Sequence, residues 1–115
     1  MAHDGTNTLG ICVSSPGPME HVMGLARAAR AAGKEVKIFF TGEGVHLTQD
    51  PRFADLLDVA KTGSSRPHGQ VAVCEVSYIA NGLRGKPVPG LRDKDFVTQA
   101  RNAEMVEECE RYVVL

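Results

Sequence analysis

The chain has 115 residues, 43% of them hydrophobic and 23% charged, with a formal net charge of −1 when histidine is neutral. These values fit one globular domain over 1–115, large enough for a single core without metal or disulfide staples. The balanced charge supplies no basic field to collect a nucleic-acid backbone, and five per cent aromatics without tryptophan is thin for a base-stacking platform.

Met1 to Ser15 lacks Lys and Arg, and no apolar run reaches membrane-spanning length, so neither a secretory signal nor membrane insertion is expected and the expected address is cytoplasmic. Leu9, Ile11 and Val13 alternate with smaller residues as a strand, closed by the turn Ser14-Ser15-Pro16-Gly17-Pro18. Val22, Leu25, Ala26 and Ala29 then recur at helical spacing, with Gly33 placed to end the helix. Val36 to Phe40 is apolar on both faces, as in a buried parallel strand, and Thr41-Gly42-Glu43-Gly44 closes it.

Asp50-Pro51 is a helix-start signal before the stripe Phe53, Leu56, Leu57 and Ala60, and 64–69 reads as a loop. Val71 to Val76 predicts a third strand, and Val76, Ile79, Ala80 and Leu83 a short helix after it. Gly85 to Asp95 is irregular. Phe96 to Ala100 is expected as a short strand, Asn102 as the cap of a helix through Glu110, and Tyr112 to Leu115 as a final strand. Alternating strands and helices predict an α/β fold, a flavodoxin-like three-layer sandwich of about five mainly parallel strands with helices on both faces. Ligands of such sheets meet the carboxyl ends of the strands, which here carry Ser14, Thr41 to Gly44 and Cys74.

The three cysteines, Cys12, Cys74 and Cys109, form no C-x-x-C pair and are expected to be free thiols. Cys74 lies near the end of the third strand, with Ser77 and the beginning of a helix a few residues on, a setting that favours the thiolate. Cys12 inside the first strand and Cys109 on the apolar stripe of the last helix read as packing residues. Glu43 and His46 follow the second strand at the same edge, His46 able to exchange a proton with the thiol and Glu43 to orient it or repel anions. His3, His21 and His68 lack zinc spacing, and Gly42-Glu43-Gly44 is no dinucleotide fingerprint, so no metal and no cofactor are expected. Arg84, Lys86, Arg92 and Lys94 gather around the long loop.

The chain resembles the DsrE/DsrF-like sulfur-relay family, TusD-like subunits included. The likeness lies in Ala31-Ala32-Gly33-Lys34-Glu35-Val36, in Phe39-Phe40-Thr41-Gly42-Glu43-Gly44-Val45, in Val71-Ala72-Val73-Cys74 with Ser77, and in the ending Glu107 to Leu115. It departs where relay members often have Arg-Gly after the cysteine, since Asn81-Gly82 stands here and Arg84-Gly85 follows three residues later. The resemblance implies that Cys74 carries sulfane sulfur as a persulfide, acting as a sulfurtransferase or sulfur carrier between donor and acceptor proteins. Ser14, Thr41, Glu43, His46 and Ser77 are its expected pocket. It also implies a homo-trimer or homo-hexamer. The alternatives are a non-catalytic subunit binding a small ligand or partner at the same edge, with Cys74 in the wall, and a thiol redox sensor.

Overall fold

Strands that are apolar at consecutive positions must be covered on both faces, and the chain achieves this by packing helices on both sides of one sheet. The computed structural model describes residues 7–64 and 70–115. Its strands are β1 (Thr8–Val13), β2 (Glu35–Phe40), β3 (Val71–Cys74), β4 (Phe96–Val97) and β5 (Arg111–Val114), and its α-helices are α1 (Met19–Ala31), α2 (Phe53–Lys61), α3 (Glu75–Ala80) and α4 (Ala100–Glu108). The sheet order is β4-β3-β2-β1-β5, with every neighbouring pair parallel. The chain steps outward from β1 to β4, then returns across the sheet to lay β5 on the other side of β1, which reverses the direction of winding and puts α4 on the opposite face.

The two faces read directly from strand alternation. Ile11, Val13, Val36, Ile38, Phe40, Val71 and Val73 meet Val22 and Ala26 of α1 and Leu56 and Ala60 of α2 in the larger core. The residues between them, Cys12, Phe39, Ala72 and Cys74, form a smaller cluster with Met105 of α4, against which Cys109 and Tyr112 pack. Phe40 meets Phe53 edge to face at 5.5 Å between ring centroids.

Several boundaries differ from the sequence reading. Strand β3 stops at Cys74, because α3 starts at the next residue and leaves Val76 exposed on the helix. Strand β4 has two residues, since Thr98 turns the chain: its hydroxyl accepts the Ala100 N–H and its carbonyl the Arg101 N–H. Helix α4 therefore begins at Ala100, and Asn102, expected as its cap, lies inside it and accepts the Tyr112 hydroxyl proton. Asp50 also does not cap α2 directly. Its carboxylate accepts the Arg52 N–H at 2.8 Å and pairs with the Arg52 guanidinium, making a turn before the helix starts at Phe53. Of the expected 64–69 loop, only Ser64 lies within the described residues, and His3 and His68 lie outside them.

The turn at Thr41 extends into an eight-residue 3₁₀ run, Gly42–Gln49, that the sequence reading did not foresee. It buries Val45 and Leu47 and passes so close to β1 that a Cβ on Gly44 would stand 2.1 Å from the Val13 carbonyl oxygen.

On the α4 face, Lys37 bonds Glu108 at 2.7 Å and Arg101 reaches the same carboxylate oxygen at 3.1 Å. Burial raises the Glu108 pKa, but these two cations outweigh it and hold the carboxyl below its ordinary value. A carboxyl depressed by folding adds stability above its unfolded pKa, and that contribution is lost as pH falls through the folded pKa. The urea midpoint should therefore fall on acidification, and Glu108→Gln should flatten part of that fall. Equal acid slopes in the two proteins would count against the ion-pair assignment.

Candidate functional site

The carboxyl ends of β1, β2 and β3 lie along one edge, and the residues following them meet there to different degrees. Cys74 ends β3 and is the residue that immediately precedes α3, with Ser77 in the first turn of that helix. Thr41, the first residue after β2, brings its hydroxyl within 3.3 Å of the Ser77 Oγ. The Gly42 N–H donates to the same Ser77 oxygen at 2.9 Å. Gln99, just before α4, donates from Nε2 to Thr41 Oγ1 at 2.7 Å.

These groups set the chemistry of a thiol that is only 3% exposed. Burial disfavours the Cys74 thiolate, but hydrogen bonding from the Ser77 hydroxyl and N–H, from Gln99 and from Thr41 outweighs it, and the pKa lies below the ordinary cysteine value. The other two cysteines move the opposite way. Burial raises Cys12, with the Tyr112 hydroxyl offsetting only part of the effect. Burial likewise raises Cys109, whose Sγ would stand 2.8 Å from a Cβ added to Gly10. A lowered thiol pKa enlarges the fraction present as nucleophilic thiolate near neutral pH.

Of the residues expected around Cys74, the structure brings Thr41 and Ser77 to it. Ser14 shares the edge, but its hydroxyl donates to the Leu115 carbonyl at 3.1 Å, on the β5 side of β1 and away from β3. Glu43 is exposed on the first turn of the 3₁₀ run. The His46 ring meets Asn81 Oδ1 at 3.1 Å through Nε2, so its connection to the sulfur runs through Asn81.

Asn81 and Gln99 are the two residues that the sequence reading missed. Asn81 Nδ2 donates to the Ser77 carbonyl at 2.8 Å and the Gly42 carbonyl at 3.1 Å, tying the end of α3 to the turn after β2. Its signal was visible only as the Asn-Gly pair after α3. Asn81→Ala should lower stability by about 1 kcal/mol in denaturant unfolding, the scale of a hydrogen-bonded polar anchor. His46→Ala removes only the outermost bond of that network and should lower it less. The reverse order would show that Asn81 does not hold the turn.

The model of the DsrE/DsrF-like family matches residues 9–115. The chain belongs to the DsrE/DsrF-like family. No curated protein matches the chain. The family match covers every strand of the sheet except Thr8 at the start of β1, and all of the residues around Cys74.

A separate groove of about 440 Å³ lies between α3 and the loop that follows it, with Tyr78, Ile79, Val88, Leu91 and Phe96 among its walls. The Tyr78 hydroxyl donates to the Lys86 carbonyl at 2.6 Å and fastens this loop over the helix. Arg84 and Lys86 line the groove together with Glu75 and Asp93, so its rim carries both signs. Arg92 is paired with Asp95. Cys74 is not among the residues that line this groove.

Proposed function

We propose that this protein is a sulfur-relay subunit in which Cys74 accepts a sulfane sulfur from a donor protein and passes it to an acceptor protein thiol. The observation that carries the reading is the contrast among the cysteines: polar donors favour the thiolate at Cys74, whereas burial disfavours it at Cys12 and Cys109. Membership of the DsrE/DsrF-like family supports the same chemistry.

Loading is a balanced exchange at sulfur. The Cys74 thiolate attacks the outer sulfur of a donor persulfide, R–S–SH. The new S–S bond forms as the donor's S–S bond breaks, the donor leaves as R–S⁻, and the outer sulfur and its proton remain on Cys74 as Cys74–S–SH. Delivery repeats the exchange with an acceptor thiolate attacking the outer sulfur of that persulfide. Neither step needs an external oxidant, a metal or a cofactor. The likeness to the family extends the proposal to a cytoplasmic homo-trimer or homo-hexamer working between donor and acceptor proteins, a state that sedimentation across micromolar concentrations reads directly.

The experiment is mass spectrometry after incubation with a protein persulfide donor and blocking of free thiols. One added sulfur atom is expected on the peptide bearing Cys74. Sulfur found only on the Cys12 or Cys109 peptide, or a Cys74 sulfenic acid formed in place of a persulfide, would replace the relay with another thiol chemistry.

A further inference from the structure

We propose that Gln99 is the head of a directed hydrogen-bond chain that aims donor protons at Cys74 Sγ, acting through the N–H of its carboxamide that Thr41 accepts. The inference rests on the proposal that Cys74 is the reacting sulfur, and it adds the residue that sets when that sulfur is ready.

The direction follows from counting protons. A hydroxyl carries one proton and two lone pairs, and a carboxamide nitrogen carries two protons. The Gly42 N–H occupies an acceptor site on Ser77 Oγ at 2.9 Å, and Gln99 Nε2 occupies one on Thr41 Oγ1 at 2.7 Å. Each hydroxyl is thus supplied from behind by an N–H and is left to donate forward. The contact between the two hydroxyls at 3.3 Å uses at most one of their protons, which leaves the other for the sulfur. Phe40 pairs with Val73 across β2 and β3, so Thr41 and Cys74 follow side by side at the end of the two strands. The chain joins the turn after β2, the start of α3 and the start of α4, so the sulfur lies where three separate segments converge. All of these donors are neutral. They favour a thiolate without placing on it a cation that would have to be displaced when a sulfur anion departs.

The test is the pH profile of Cys74 reaction with a small aromatic disulfide, read peptide by peptide so that only Cys74 is scored. Gln99 is exposed, so its substitutions leave the core intact. Gln99→Leu should move the midpoint up by about one pH unit, as expected for loss of hydrogen bonding to a charged group. Gln99→Glu should move it further, because a carboxylate accepts the Thr41 proton and pulls it away from the sulfur while adding a like charge. Thr41→Val should raise the midpoint and Thr41→Ser should restore it. The more basic thiolate of Gln99→Leu should also react roughly threefold faster above its midpoint, so its profile crosses that of the parent. A general structural loss gives no such crossing.

Midpoints in the order parent, Gln99→Leu, Gln99→Glu support the proposal. An unshifted midpoint in Gln99→Leu, or a Gln99→Glu midpoint at or below the parent's, overturns it. Persulfide loading of the parent is scored separately. Failed loading with the ordered midpoints intact removes the sulfur-relay reading and leaves the donor chain standing, whereas normal loading with unshifted midpoints removes the donor chain alone.

Discussion

Gly44→Ala is expected to destabilise the protein by about 3 kcal/mol or more in denaturant unfolding, at the upper end of what overpacking does. The added methyl would lie 2.1 Å from the Val13 carbonyl oxygen, 2.6 Å from its carbon and 3.1 Å from the Ser14 nitrogen, all of them main-chain atoms. No side chain can rotate away to relieve the contact. The Val13 carbonyl also accepts the Thr41 N–H at 2.9 Å, so pushing the 3₁₀ run off β1 strains the segment that presents Thr41 to Cys74. Gly24 supplies the control, because it lies in α1 with nothing within 4 Å of an added Cβ. Gly24→Ala should gain about 0.5–1 kcal/mol from helix propensity alone. Equal stability of Gly44→Ala and the parent would mean that the run is not held against β1.

Cys74→Ser should abolish persulfide loading completely, while Cys12→Ser and Cys109→Ser load as the parent does. A serine hydroxyl fits among the same donors but is not ionised near neutral pH, and its oxygen is no substitute for a thiolate in exchange at sulfur. The fold should survive, since Thr41, Ser77 and Gln99 surround that position with polar groups. Cys12→Ser divides the other way. It puts a hydroxyl into the cluster of Phe39, Ala72 and Met105, with a stability loss of roughly 1–2 kcal/mol and no loss of loading. Mass spectrometry and unfolding on the same three variants check both halves, and a Cys74→Ser protein that still takes up sulfur would disprove the assignment.

The sheet was legible because each strand carries its own local signal: alternation in β1, apolar runs in β2 and β3, and helical stripes between them. The position of Cys74 near the end of β3 was legible for the same reason, although the reading ran that strand on to Val76 where α3 in fact begins at Glu75. Gln99 was not legible. It lies 25 positions beyond Cys74 in the chain and reaches Thr41 only because β4 stops at Val97 and Thr98 starts a turn. The sequence reading extended that strand to Ala100, which would have carried Gln99 past the edge. His46 and Ser14 show the converse. Both were correctly placed on the edge by strand order, but their bonds to Asn81 and Leu115 depend on side-chain directions that periodicity does not contain.

The burial of Cys74 has a kinetic consequence. With 3% of the residue exposed, reagents in bulk water meet the sulfur only during brief openings of the groups around it, so the observed rate is the open fraction multiplied by the rate of the accessible thiolate. Reagents of equal chemistry but increasing bulk require wider openings and are slowed in order of size. A docked protein can drive the opening with its own binding energy, whereas a freely diffusing thiol cannot. Under the proposed relay, a sulfur atom stored on Cys74 would be sheltered between encounters and released by contact with a partner, not by the concentration of small thiols in the surroundings.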